Sequence, residues 1–282
     1  MVKVINPGFY TTVQDLGRFG YQDYGVPISG VMDCYSARFA NALLNNNEND
    51  AVLEITMTGP TLQFHNYTSI CISGVDMSPE LNSLSIKLNS AIAVKPNDIL
   101  SFGKLKYGFR SYLAVAGGFQ SEIRLNSRSM YRNVTSRFKI EANDELTIKE
   151  IVPKVSDKHA SLKFNSEMFT SNSIEVFKGP EFELLSSSQQ ERLFNQEFTI
   201  SNLYDRMAYQ LEESFKNNLE PIITSLVLPG TVQLTPSGNL IVLMRDCQTT
   251  GGYPRVLQLS EASINALSQK FKGHSIRFKL LA

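Results

Sequence analysis

Ten consecutive residues late in the chain, Asp246 to Arg255 (D-C-Q-T-T-G-G-Y-P-R), combine an acid, a base, two hydroxyls, an amide and two glycines. They join two strand-like runs, Leu240 to Met244 and Val256 to Leu259, where an ordinary hairpin needs only a turn residue or two. Thr249, Thr250, Gly251 and Gly252 can present hydroxyls and bare N–H groups to an oxyanion or an amide. Tyr253 can supply a wall or a phenolic donor, and Arg255 a counter-charge. The plain structural alternative is an ion pair from Asp246 to Arg255 or Arg245, with the threonines capping the turn. A second polar loop, Thr11 to Tyr21, offers the amide of Gln14, the carboxylate of Asp15 and the guanidinium of Arg18 within five residues. The glycine-punctuated segment Gly25 to Asp33, which contains Ser29, then leads into a helix. A helix N-terminus exposes free N–H groups and a partial positive charge, which suit a carboxylate or phosphate. Arg18 and Arg38 can add forked contacts to such an anion. Two weaker clusters mix arginine with hydroxyls: Ser127 to Arg132, and Ser201 to Glu212 with Asp205, Arg206 and Tyr209.

The common routes to catalysis are missing. There is no G-x-x-x-x-G-K-[ST] phosphate loop, no G-x-G-x-x-G and no G-x-S-x-G nucleophile elbow. His65, His159 and His274 stand singly, without metal-ligand spacing, so no metal site is expected and each histidine reads as a surface or loop residue. Cys247 has no partner base in its motif and reads as a packed thiol. No Met-Lys-Met tripeptide occurs, so no covalent biotin is expected on this chain. Lys plus Arg and Asp plus Glu balance at 27 each, which leaves no basic excess for a nucleic-acid partner. No apolar run approaches the roughly 18 residues of a membrane span. Three scattered cysteines and a start without a signal-like apolar core point to a soluble cytoplasmic protein.

Short β-rich runs separated by Gly, Pro, Asn, Asp and Ser must carry these loops. Val52 to Met57, Ser69 to Ser73, Ser83 to Leu88 and Ser111 to Ala116 are examples, and several alternate apolar with polar. Helices are expected at Cys34 to Asn45 with Asp33 as N-cap, at Ser186 to Asn195 with Ser187 and Gln190 in capping-box spacing, and at Ser260 to Lys270. In the first of these, Tyr35, Phe39, Ala40, Leu43 and Leu44 form the apolar stripe. Residues 151–173 are the least patterned. The expected division is an N-terminal β domain at 1–152, a connector at 153–173 and a C-terminal β domain at 174–282, with strands open to exchange between the halves.

In chain order the motifs resemble one family, the allophanate hydrolase subunit 2-like proteins, which include the Kip-type kinase-inhibitor antagonists and the C subunit of 5-oxoprolinase. The stretches that carry the resemblance are T-T-V-Q-D-L-G-R-F-G-Y-Q (Thr11 to Gln22), G-V-P-I-S-G-V-M-D (Gly25 to Asp33), L-E-I-T-M-T-G-P-T-L-Q-F (Leu53 to Phe64) and Y-L-A-V-A-G-G-F (Tyr112 to Phe119). Ser127 to Ser129, Asp205 to Met207, Pro229 to Leu234 and Ile241 to Arg255 complete a collinear match over about residues 3 to 281. Departures are Leu43-Leu44-Asn45-Asn46 at the first helix end, Met130 after S-R-S, Ala208 after D-R-M, and the lack of tryptophan.

The resemblance implies a mainly β fold of two cyclophilin-like β-barrel domains with a few short helices. It implies the C subunit of an ATP-dependent 5-oxoprolinase, inactive alone, which opens the lactam of 5-oxoproline to glutamate together with the A and B subunits. The B partner of such an enzyme resembles allophanate hydrolase subunit 1 and the Kip-type inhibitor. ATP enters as a reactant of the assembled hetero-oligomer. The alternatives are the carboxyltransferase component of a biotin-dependent urea carboxylase, and a non-catalytic regulator that binds a Kip-type inhibitor. Candidate catalytic groups are Asp15, Arg18, Arg128 and Asp246: either aspartate as base, the arginines as oxyanion partners. Candidate substrate-binding groups are Gln14, Ser29, Asp33, Thr249, Thr250, Gly251 and Tyr253. The two loops are expected to wall one site that another subunit finishes.

Overall fold

A computed structural model describes residues 1–151 and 163–281. The chain is mainly β and divides into two compact units, residues 1–18 with 29–166, and residues 19–28 with 167–282. Residues 19–28, which a linear division leaves in the N-terminal half, group with the second unit.

The first unit is built on two antiparallel sheets. One runs in the order Glu145–Leu146, Val2–Asn6, Thr61–Phe64, Ile99–Phe102, Pro79–Leu81 and Leu84–Ser85. The other runs Tyr10–Gln14, Val52–Thr56, Arg110–Val115, Thr68–Gly74 and Ile92–Val94. Val52–Thr56 and Arg110–Val115 are buried at every position, as strands covered on both faces must be. The helix Cys34–Leu43 covers part of this sheet with Cys34, Ala37 and Ala40 against Val52, Cys71 and Ala114. Of the expected stripe, Ala40, Leu43 and Leu44 pack on this core, joined by the small side chains of Cys34 and Ala37. Tyr35 and Phe39 instead hold the ring of Phe164, at centroid separations of 5.2 and 5.0 Å. Asp33 caps the helix, its Oδ1 accepting from the Ser36 N–H at 3.1 Å. At the other end Asn45 takes a left-handed φ of 56°, the conformation that stops a helix.

The second unit contains a closed seven-stranded barrel. Its order is Ser173–Lys178, Arg255–Leu259, Thr231–Leu234, Leu240–Leu243, Ala208–Leu211, Phe198–Tyr204 and Ser275–Leu280. Alternate residues such as Val232, Leu234, Leu240, Val242, Ile276 and Phe278 are buried, the period of a sheet with one face inward. Closure removes the exposed sheet edges that would otherwise template aggregation.

Several expectations need adjustment. The run Ser83 to Leu88 forms only the two-residue strand Leu84–Ser85, whose start is set by Asn82 and Ser83 turning through positive φ. The capping box sits one residue earlier than its spacing suggested, on Ser186 and Gln189, so the helix is Ser187–Asn195. The last helix is Glu261–Ser268, with Ser260 as its cap. Within 151–173, residues 152–162 lie outside the described residues, and the remainder forms a short helix, Glu167–Thr170, with Phe169 buried. His65 is exposed, whereas His274 is half-buried against Phe271, its Nδ1 accepting from the Phe271 N–H at 3.1 Å. His159 lies outside the described residues.

Candidate functional site

The strand Tyr10–Gln14 delivers Asp15 to the head of the first loop, where its carboxylate is buried and fully engaged. Asp15 Oδ1 accepts from the Gly17 N–H at 2.9 Å, Ser127 Oγ at 2.7 Å and Ser129 Oγ at 2.6 Å. Its Oδ2 accepts from the Arg128 N–H at 2.6 Å. One carboxylate thus ties the N-terminal loop to S-R-S, more than a hundred residues away. Arg18 completes the tie by donating from Nη2 to the Ser129 carbonyl and is itself fully buried. Gln14 donates to Thr12 Oγ1 at 3.0 Å and to the Met130 carbonyl at 3.2 Å. Met130 is therefore accommodated by contacts to its backbone oxygen and, through Sδ, to the Val13 N–H at 3.4 Å.

Within this bracket Arg128 is held from both ends. Its backbone N–H meets Asp15, while its guanidinium donates to the Ser121 carbonyl and to Gln120 Oε1 at 3.1 Å. The half-buried guanidinium lies on the walls of two cavities, of about 300 and 340 Å³. A fixed, always-charged donor at a cavity wall is what recognition of a carboxylate or phosphate needs.

The end of the Gly25 to Asp33 segment, at Gly30 and Val31, docks on the same bracket. Val31 N–H donates to the Asp15 carbonyl at 2.9 Å, and Gly30, with φ 87°, lies against the backbone of Leu16 and Gly17. A Cβ on Gly30 would sit 2.7 Å from the Leu16 carbonyl carbon, so only glycine permits this approach. Ser29 just before it also has a left-handed φ, 56°, and its buried hydroxyl has no hydrogen-bond partner among the described residues. Gln14 Oε1 is likewise buried without a partner there. Strain and an orphaned polar atom in one residue are features that concentrate at functional positions. Replacing Ser29 with glycine is expected to raise stability by about 1 kcal/mol, seen as a higher melting temperature, because the left-handed penalty disappears. A lower melting temperature would mean the hydroxyl is a net stabiliser.

Asp33 is occupied with its helix. Besides the cap, its Oδ2 accepts from Ser36 Oγ at 2.6 Å, and its N–H donates to the Tyr112 hydroxyl at 2.8 Å. Behind it runs a buried network that residue spacing did not reveal. Tyr112 donates to Glu54 Oε2 at 3.0 Å, the same oxygen accepts from the Met32 N–H at 2.6 Å, and Arg110 lies 3.7 Å from Glu54 Oε1. Burial and the Glu54 charge push the Tyr112 hydroxyl well above the usual tyrosine range, which keeps it a donor. The visible signal was a glutamate in the middle of the apolar run Val52 to Thr56. Arg38, by contrast, points to an exposed pair with Glu48 at 3.4 Å.

The late loop belongs to the second unit, and its framing differs from a hairpin. Leu240–Leu243 and Arg255–Leu259 are not paired with each other, since Thr231–Leu234 lies between them and bonds to both. The connection must therefore cross a strand, which is why it is long. Thr250–Gly251 forms a small ribbon with Ser225–Leu226 instead. Asp246 pairs with neither Arg245 nor Arg255. It takes a two-pronged ion pair from Arg206, Nε to Oδ2 at 2.8 Å and Nη2 to Oδ1 at 3.1 Å. Arg255 forks onto Glu181 at 2.9 and 2.7 Å, and Arg245 reaches Glu261 and Asn265. The hydrogen bonds from Arg255, stronger than the opposing effect of burial, hold the Glu181 carboxyl below the usual carboxylate range.

Thr249 accepts through its carbonyl from the Val227 N–H at 3.1 Å, Tyr253 is partly exposed, and Gly251 leaves room for the buried amide of Gln233. A Cβ on Gly251 would come within 2.4 Å of Gln233 Nε2, a buried donor with no partner among the described residues. Cys247 is packed against Val227 and Leu243, and burial pushes its thiol up to about 12, so it is no nucleophile at neutral pH. Among the described residues no group of three or more His, Cys, Asp or Glu side chains could hold a metal ion, and no helix is long and apolar enough to cross a membrane.

The mainly β architecture agrees with what comparison finds. Residues 24–280 match the model of the carboxyltransferase domain, subdomain A and B. The chain belongs to this family. It is 31% identical to the 5-oxoprolinase C subunit of Escherichia coli K12 over 284 aligned positions, covering 99% of this chain and 90% of the relative. Identity to the 5-oxoprolinase C subunit of Haemophilus influenzae is 29%, over 100% of this chain and 92% of that one. In structure it resembles the urea amidolyase of K. lactis with a TM-score of 0.87 and 29% identity, covering 100% of this chain but 19% of that one. The chain thus spans about a fifth of the amidolyase.

Proposed function

We propose that this carboxyltransferase-family chain is the C subunit of an ATP-dependent 5-oxoprolinase, acting with A and B subunits to hydrolyse 5-oxoproline to glutamate. The observation that carries the reading is the end-to-end similarity to two proteins named as the C subunit of 5-oxoprolinase, at 99% and 100% of this chain. A five-membered lactam is an unreactive amide, and ATP can activate it by phosphorylating the amide oxygen to give a better electrophile. Such an intermediate is rich in negative oxygen, which fixed guanidinium and N–H donors stabilise. Arg128, locked by Asp15, Ser121 and Gln120, is the best-organised group of that kind in the first unit. With no phosphate loop in the sequence, ATP is held in an unorthodox way or shared with a partner subunit.

The test is reconstitution with A and B subunits. ATP hydrolysis is expected only when all three chains and 5-oxoproline are present. Binding to the B subunit without 5-oxoproline-dependent ATP hydrolysis would sink the enzymatic reading in favour of the regulatory one. The family match and the likeness to urea amidolyase favour a second reading, a carboxyltransferase component supplied by a separate biotin carrier. A carrier-dependent carboxylation of urea by the same preparation would establish it.

A further inference from the structure

The 340 Å³ cavity beside the Asp15 bracket is walled by charges of both signs. Its lining includes Asp15, Arg128, Asn49, Asp50, Gln120 and Lys149. Hydrogen bonds tie several of these residues in place. Asn49 Oδ1 accepts from the Leu16 N–H at 3.0 Å, and Asp50 Oδ2 accepts from the Asn47 N–H at 3.0 Å. Gln120 donates to the carbonyls of Gly117 and Gly118 at 2.7 and 3.0 Å while accepting from Arg128. The Lys149 stem lies across Gly117, where a Cβ would come within 2.8 Å of its Cδ.

The charges differ in what they have left to offer. Asp15 already receives four hydrogen bonds, so it presents little further acceptor capacity. Lys149 has no salt-bridge partner among the described residues, and neither does Asp50. What remains is one fixed cation, Arg128, one open cation, Lys149, one open acid, Asp50, and neutral amides between them. We infer that this cavity is the binding site for the small carboxylate of the reaction, with Arg128 and Lys149 taking the carboxylate and the side-chain amides meeting the lactam. Asp50 faces the ammonium that appears when the ring opens to the amino acid. This assignment deepens the 5-oxoprolinase reading and rests on it for the choice of ligand.

The experiment is titration of the purified chain alone, without ATP or partners, by calorimetry or saturation-transfer NMR. The probes are 5-oxoproline, glutamate and 2-pyrrolidinone, the last being the lactam without its carboxylate. Wild type is expected to bind 5-oxoproline and glutamate and to ignore 2-pyrrolidinone. Lys149→Gln, at an exposed side chain, should weaken both carboxylates about three- to fivefold, as loss of one solvent-facing ion pair does. Asp50→Asn should weaken glutamate by a similar factor and leave 5-oxoproline unchanged. Equal affinity of wild type and Lys149→Gln for both carboxylates, tight binding of 2-pyrrolidinone, or no binding of any probe would each overturn the assignment. Its failure is separable from that of the enzyme reading. Reconstituted turnover with an unchanged KM in Lys149→Gln sinks the cavity alone, whereas carboxylate binding without reconstituted turnover sinks the enzyme.

Discussion

Asp15→Ala is expected to destabilise the first unit by about 3–5 kcal/mol, because a buried acceptor that serves two hydroxyls and two backbone N–H groups is removed. The Ser127 and Ser129 hydroxyls can partly re-pair, since the Ser129 N–H already reaches Ser127 Oγ at 3.0 Å. The N–H groups of Gly17 and Arg128 have no such substitute. Asp15→Asn keeps the shape but turns donors toward donors, and a smaller loss of about 2 kcal/mol is expected. Denaturant unfolding measures both. Because Arg128 hangs from the same carboxylate, reconstituted turnover should fall in Asp15→Asn even where the protein stays folded. A wild-type unfolding midpoint for Asp15→Ala would show that the carboxylate is not the tie the geometry indicates. The carboxylate, with four hydrogen bonds already accepted, is a tie that fixes the Arg128 backbone.

Asp246→Ala should be similarly damaging, at about 3 kcal/mol, because it removes a two-pronged carboxylate partner of the Arg206 guanidinium in a site where both side chains are about nine-tenths covered. From residue types alone, removing Asp246 or Arg18 would abolish activity and spare the fold. The structure adds a stability cost to both substitutions, since Arg18 is fully buried and Asp246 is gripped by Arg206. The decisive comparison is the double variant Arg206→Met/Asp246→Leu. It should recover most of the lost stability, as apolar replacement of a covered ion pair commonly does, while either single change does not. Asp246→Ala with an unchanged unfolding midpoint and no reconstituted turnover would instead make the carboxylate a reacting group.

Local signals were legible where one residue type decides a conformation. Asp33 as a helix cap, Asn45 in the left-handed stop and the packing of Cys247 all follow from side-chain chemistry within a few residues. Alternation of apolar and polar residues marked most strands, though not their partners. Leu240–Leu243 and Arg255–Leu259 are consecutive strand-like runs, yet Thr231–Leu234 inserts between them, a pairing that strand-by-strand patterning cannot encode. The connector looked unpatterned because its anchors are single aromatics, Phe164 and Phe169, rather than a periodic stripe.

The sequence by itself determined the class of the fold and the family, because turn chemistry, apolar periodicity and collinear motifs are written in neighbouring residues. It also showed that no familiar nucleophile or phosphate loop is at hand. Only the tertiary structure decided who holds whom. Asp15 with Ser127 to Ser129, Asp246 with Arg206, and Glu54 with Arg110 and Tyr112 are pairs 40 to 114 residues apart. Each charge had several oppositely charged candidates along the chain. Strand pairing chose the partners of Glu54 and the packing of distant loops chose the others, since burying a charge is tolerable only beside the partner that the fold brings within hydrogen-bond reach.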